Sequence, residues 1–184
     1  MDDRRGIEDF EIVDLGWIVT VFGGNPSVPF VPTRKETLDL VLSAMGLTKG
    51  DILYDLGCGD GRVIVEAARR YPIRKAVCIE LRRELAEEAK SNALKAGVAD
   101  RVVVINDDFF RVPIRDATVV YMYLLTSVNE TLKPKLKKEL RPGTRVVSLD
   151  FQIPGWKPVR ILGEAAGWQR TVYVYVIGES DRRD

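Results

Sequence analysis

The chain has 184 residues, 46% hydrophobic and 30% charged, with a formal net charge of +1. This supports one domain with a full core, leaves no comfortable room for two, and excludes a disordered chain. The net charge selects neither a nucleic acid nor an acidic partner, and the lack of histidine removes Ser-His-Asp and Cys-His nucleophiles and the usual zinc ligand sets.

Met1 to Asp9 mixes acids and bases and lacks the apolar run of a signal peptide. Leu15 to Phe22 is interrupted by Gly16 and Thr20, far short of the ~20 residues that span a bilayer. A soluble, cytoplasmic protein is expected. Residues 1–28 read as an N-terminal extension, with one or two short strands in Ile12 to Phe22 and a turn at Gly23-Gly-Asn-Pro26. The domain proper is expected over residues 29–180. Pro29-Phe-Val-Pro32 is extended, because a residue before proline avoids the helical region. Thr33 can cap a helix from about Arg34 to Met45, closed by Gly46.

Strands and helices then alternate. Strands are predicted at Ile52–Leu56, Ala76–Ile79, Val102–Ile105, Thr118–Leu124 and Arg145–Phe151. Helices are predicted at Arg62–Tyr71, Glu84–Ala96 and Glu130–Leu140. A late strand, Thr171–Ile177, is expected to pair with Val159–Leu162. The pattern means βαβ units and a parallel sheet in one doubly wound α/β domain, with no internal repeat. Heavy charge and few amides lean towards a thermophile.

Asp55-Leu-Gly-Cys-Gly-Asp-Gly-Arg62 lies where the first strand hands over to a helix, the position at which open α/β sheets bind ligands. Gly57, Gly59 and Gly61 let the backbone turn tightly and approach a ligand. A dinucleotide loop would place its third glycine at position 62, where Arg62 stands, and a P-loop would need GK[ST]. Asp55 and Asp60 repel phosphate but suit a cationic amino group. Glu80, about twenty residues past the loop at the end of the second strand, can accept from ribose hydroxyls. Asp108, or Asp107 beside it, ends the third strand and can accept from an adenine amino group, with a neighbouring aromatic or backbone N–H holding the ring; the plain alternative is an Asx turn. Together these acids describe one ligand lying across one edge of a sheet.

Cys58 and Cys78 are too few for a disulfide framework and form no CxxC pair, so a reducing setting is expected. Cys58 reads as small filler in the loop and Cys78 as a buried strand residue.

The loop resembles motif I of class I S-adenosylmethionine (SAM)-dependent methyltransferases. Further stretches resemble the archaeal broad-specificity protein lysine methyltransferases, relatives of the mitochondrial enzymes acting on ATP synthase c subunits and the adenine nucleotide carrier. They are Val28–Thr33, Asn106–Phe110, Thr118–Thr126, Val128–Leu136, Gly143–Ser148 and Thr171–Glu179. The resemblance covers about residues 28–179. It implies a Rossmann-like, seven-stranded class I sheet with helices on both faces and a reversed last strand. It also implies SAM as cofactor, S-adenosyl-L-homocysteine as product, no metal, and methylated protein lysines. Val31-Pro32-Thr33 would close over the methionine end. The cofactor set is then Val31, Pro32, Thr33, Asp55, Gly57, Cys58, Gly59, Gly61, Glu80, Leu81, Asp107, Asp108, Phe109 and Tyr121. The chain departs from the pattern in its longer extension and in Leu149-Asp150, where a polar residue is expected before the acid.

A lysine ammonium, with a pKa near ~10.4, must lose a proton before it can accept a methyl group. An aromatic slot beside a sulfonium lowers that pKa, so no dedicated general base is needed. The residues expected at the slot are Tyr121, Tyr123, Asp150 and Phe151, with Trp156 either joining them or anchoring a loop. Lys133-Pro-Lys-Leu-Lys-Lys138 reads as a basic helix face that either draws acidic partners or is simply solvated. No Asp-Pro-Pro-Tyr motif follows the fourth strand, which counts against methylation of nucleic-acid bases. The expected partner is therefore a protein with accessible lysines, met by a monomer. An RNA or small-molecule methyltransferase is the enzyme alternative, and a non-catalytic SAM-binding protein the alternative of another class.

Overall fold

A computed structural model describes residues 33–163 and 170–182. The expected extension at 1–28 lies outside the described residues, as do Val31 and Pro32.

The elements follow the predicted order. They are α1 (Lys35–Met45), β1 (Ile52–Leu56), α2 (Arg62–Arg70), β2 (Lys75–Ile79), α3 (Arg83–Lys95), β3 (Val102–Ile105), β4 (Val119–Met122), α4 (Thr126–Glu139), β5 (Arg145–Leu149), β6 (Arg160–Leu162) and β7 (Val172–Val176). The strands form one seven-stranded sheet in the order β3-β2-β1-β4-β5-β7-β6. The first five strands pair in parallel, while β7 runs antiparallel to β5 and to β6. The expected sheet with a reversed last strand is therefore present, as is the pairing of the late strand with residues around 160.

Central strands buried on both faces read as near-continuous apolar runs, which is why they were predictable. Leu53, Ala76, Cys78, Val119, Tyr121, Val147, Leu149, Val172 and Val174 share one core with α1, α2 and α3. The alternate residues, among them Leu56, Ile79, Met122 and Tyr175, are buried too. On that side Asn129 of α4 reaches Ser148 of β5 at 3.4 Å, so the helices cover both faces.

Gly61, at φ 76°, starts α2, and a Cβ there would lie 2.9 Å from the Ala89 Cβ of α3. Glycine at this position both makes the turn and admits α3, whose buried residues Ala86, Ala89 and Ala93 are all small.

Several boundaries differ from expectation by one or two residues, β4 among them, which ends at Met122 and not at Leu124; the shifts at α4 and β5 have a local cause. α4 starts at Thr126, four residues before the predicted Glu130, with Val128 and Asn129 donating to the Leu125 carbonyl at 2.9 and 3.0 Å. The polar Ser127 and Asn129 hid this turn from hydrophobic periodicity. β5 stops at Leu149 because Asp150 turns into the left-handed region at φ 60°.

Candidate functional site

The carboxyl ends of β1, β2 and β3 meet at one edge. Gly57 and Cys58 donate to the Ile79 carbonyl at 2.9 and 3.2 Å, folding the glycine loop over the end of β2. Glu80 fixes the same junction: its carboxylate accepts from Gly59 N and from Arg82 N, each at 2.9 Å. Besides any ligand contact, Glu80 is thus a brace for the loop, a role not visible in the sequence. Asn106 was also missed as a site residue. Its amide donates to the carbonyls of Glu80 and Leu81 at 2.8 and 3.0 Å, tying the end of β3 to the end of β2. Leu81 itself is exposed.

Asp55 is only 2% exposed. Burial first, then the charges of Glu80 and Asp60, push its carboxyl well above the ordinary carboxylate range. Asp60 is balanced, since Arg62 donates to its carboxylate at 2.6 Å and also reaches the Thr33 carbonyl at 3.1 Å. Asp55 has no such cation among the described residues. This edge is therefore short of positive charge and fits a ligand bearing an ammonium group far better than a phosphate. A Cβ on Gly57 would point at Leu124, 3.4 Å away, and Phe109, 3.8 Å away, so the missing side chain leaves open the space between the loop and Phe109.

Asp107 and Asp108 both serve the local turn. Asp107 accepts from Asp108 N at 2.7 Å, and Asp108 accepts from Phe110 N at 2.9 Å. The Asx-turn reading of Asp108 therefore holds, and its carboxylate keeps further lone pairs for another donor.

The expected slot residues divide into two groups. Tyr121, in register with Asp55, is buried and lies 3.5 Å from the Thr33 hydroxyl, on the glycine-loop side. Tyr123 stacks on Phe151 with ring centroids 6.2 Å apart and planes 30° apart. Asp150 stands with that pair and is bonded by Arg170, whose Nη1 donates to the Asp150 carboxylate at 2.5 Å and to the Tyr123 hydroxyl at 2.9 Å. Arg170 lies in no motif of the sequence. Trp156 stands apart: it meets Tyr175 edge-on at 6.0 Å, and the Tyr175 hydroxyl accepts from Ile153 N at 3.0 Å. It anchors the loop after β5, as its plainer reading held.

Two expectations are corrected. Cys58 and Cys78 are joined as a disulfide, their Cα atoms 5.3 Å apart, so the pair is a staple between loop and β2 and not two unrelated residues. The lysine run on α4 is mostly engaged: Lys133 donates to the Pro154 carbonyl at 2.7 Å, Lys135 pairs with Glu139 at 2.8 Å and Lys137 with Asp181 at 3.8 Å. It ties the loops beside α4 to that helix.

Comparison with known proteins agrees with this geometry. Residues 55–160 match the family model described as the ANTKMT methyltransferase domain. The chain is 50% identical over 155 residues to a protein-lysine N-methyltransferase of Saccharolobus islandicus (strain REY15A), covering 84% of this chain and 96% of that one. It is 37% identical over 137 residues to the adenine nucleotide translocase lysine N-methyltransferase of Mus musculus, covering 74% of this chain and 59% of the mouse protein's length. Among solved structures, an RNA methyltransferase from Salinibacter ruber in complex with S-adenosyl-L-homocysteine superimposes with a TM-score of 0.78 at 43% identity. That match covers 84% of this chain and 98% of the Salinibacter chain.

Proposed function

The chain belongs to the ANTKMT methyltransferase domain family, and from that premise we propose that it methylates lysine side chains of proteins with SAM as the methyl donor. The observation that carries the reading is the conjunction of two neighbouring sites. One is the cation-deficient glycine loop around Asp55; the other is the Tyr123–Phe151–Asp150 cluster at the ends of β4 and β5. Half the residues are shared with the Saccharolobus lysine methyltransferase across nearly its full length.

In this reading Asp55 takes the ammonium of the methionine moiety, and the backbone at Gly57, Cys58 and Gly59 lines its path. Glu80 accepts from the ribose hydroxyls, with Leu81 beside it. Phe109, Asp107 and Asp108 hold the adenine, and Thr33 and Tyr121 close the methionine end. Bound SAM supplies a methyl group on a sulfonium, already activated towards a neutral amine. The chain's own task is then to align that amine and exclude water. Tyr123 and Phe151 offer ring surface to the lysine stem and to its methylated nitrogen, and Asp150 and the Tyr123 hydroxyl set the polar boundary of the slot.

Among the described residues no helix is long and apolar enough to cross a membrane. We read the chain as a monomeric, cytoplasmic enzyme of a thermophilic archaeon. High charge and the Saccharolobus relative support this.

The name of the Salinibacter neighbour favours a second reading, an RNA methyltransferase on the same cofactor site. One experiment separates them: transfer from methyl-labelled SAM to a cell extract, split into nuclease-treated and protease-treated halves. Label is expected to survive nuclease, vanish with protease and hydrolyse to methyllysine. Label lost to nuclease would replace the lysine reading with the RNA one.

A further inference from the structure

We propose that Arg170 is a positioning residue for methyl transfer, cancelling the charge of Asp150 so that the slot takes up a neutral amine instead of an ammonium. The proposal rests on the lysine reading above.

Topology brings Arg170 to the slot. The carboxyl ends of β4 and β5 lie at one edge, where Tyr123 follows β4 and Asp150 follows β5. Because β7 is reversed, the residues before its first strand position arrive at that same edge. Asp150 N donates to the Thr171 carbonyl at 2.7 Å, Thr171 N donates to the Asp150 carboxylate at 3.1 Å, and the Arg170 guanidinium bonds the second carboxylate oxygen. Both the left-handed backbone of Asp150 and its side chain are therefore set by residues 170 and 171. The side chains of Arg170 and Asp150 are only 13% and 18% exposed, so solvent screens the pair weakly.

The charge balance decides what such a slot does to an incoming lysine. At pH 7 roughly one free lysine in 2,500 is neutral. A bare carboxylate at the slot would stabilise the ammonium and raise the bound amine's pKa, opposing the reaction. A guanidinium stays charged at every working pH, so its presence on Asp150 removes that penalty permanently. Among the described residues, the groups facing Asp150 are Arg170, Tyr123 and Tyr121, with Asp55 beyond Tyr121. Arg170 is the one cation of that set. The carboxylate keeps its geometry and its acceptor lone pairs but loses its net field.

The test uses the full chain, labelled SAM and a peptide with a single lysine. Wild-type enzyme is expected to form methyllysine on the peptide; absence of that product overturns the lysine reading and this proposal with it. In Arg170→Met the acidic limb of the kcat–pH profile is expected to move up by about one unit. At pH 7 kcat is expected to fall about tenfold, with KM raised no more than about twofold. Arg170→Gln, which keeps a hydrogen bond to Asp150 without the charge, is the second variant and should shift the limb likewise. Removing both charges, in Asp150→Asn with Arg170→Met, should bring the limb back towards the wild-type position. Affinity for S-adenosyl-L-homocysteine by calorimetry should stay within about threefold throughout. If wild type forms methyllysine but the limb stays put in both neutral variants, the Arg170 role falls and the lysine reading stands. A tenfold loss of S-adenosyl-L-homocysteine affinity in those variants would mark Arg170 as ordinary support for the fold and overturn the proposal too.

Discussion

Asp55 carries a conflict that the rest of its neighbourhood does not resolve. It is buried, it faces two other acids, and the guanidinium of Arg62 is bound to Asp60. Such a residue is costly to the empty fold and useful to a cationic ligand. Asp55→Asn separates these effects, because it removes the charge and keeps the shape. The expected outcome is a ligand-free protein more stable by about 1 kcal/mol, with affinity for S-adenosyl-L-homocysteine weakened tenfold to a hundredfold. Denaturant titration and calorimetry on the same preparations check both. Unchanged affinity would remove Asp55 from the cofactor site. Unchanged stability would mean that burying Asp55 costs the ligand-free fold nothing.

At the scale of elements, the loop after β5 is shaped by α4. Asn129 is fully buried, and its amide donates to the carbonyls of Phe151 and Gln152, each at 3.2 Å, and reaches the Ser148 hydroxyl at 3.4 Å. Ser148 in turn donates to the Phe151 carbonyl at 2.5 Å. Asn129→Leu takes the amide donor from the Gln152 carbonyl and leaves the Phe151 carbonyl with Ser148 alone, and should cost about 1–3 kcal/mol. It should also lower kcat by more than it weakens S-adenosyl-L-homocysteine binding, since it disturbs Phe151 and not the glycine loop. Thermal unfolding with steady-state kinetics measures this, and a proportional fall in both functions would count against it. The same helix shows what the sequence could and could not reveal. The strands and α1 to α3 were legible because their apolar residues repeat at the strand or helix period, and the glycine loop because its spacing is a local signal. Asn129 was not, because a polar residue buried for its hydrogen bonds looks like a surface residue in a periodicity pattern. Arg170 was not, because its partners stand 20 and 47 residues away, and only the reversal of β7 unites them. Glu80 was legible as an acid at a strand end, but its grip on Gly59 was not.

For the molecule as a whole, the carboxylates pull stability in opposite directions as pH changes, and ligand binding separates them. Burial works to raise Asp51 and Glu139, but hydrogen bonds from Thr118 and Thr48 and the Arg145 charge outweigh it at Asp51. Lys135 and the Ile114 amide, with Arg115 adding charge, do the same at Glu139. Groups held low in the fold contribute stability above their unfolded values and lose it as pH falls through the folded ones. Asp55 is the reverse case. Its raised folded value means that the empty fold keeps a proton which the unfolded chain has released, so stability declines as pH rises from the unfolded value near ~3.9 through the folded one. Asp51 and Glu139 lie away from the glycine loop and contribute equally to the empty and the bound protein, so they cancel in the difference between the two. What remains is Asp55, whose penalty a cationic ligand lifts. Saturating S-adenosyl-L-homocysteine should therefore raise Tm at every pH, by about 2.7 kcal/mol of added stability at 100 times Kd. At a fixed ligand concentration that increment should widen as pH rises from the unfolded value near ~3.9 towards the raised folded one, and most of the widening should disappear in Asp55→Asn. Thermal unfolding with and without ligand across that range measures it directly. An increment that is flat with pH in the wild-type protein would show that the ligand's cation does not sit beside Asp55.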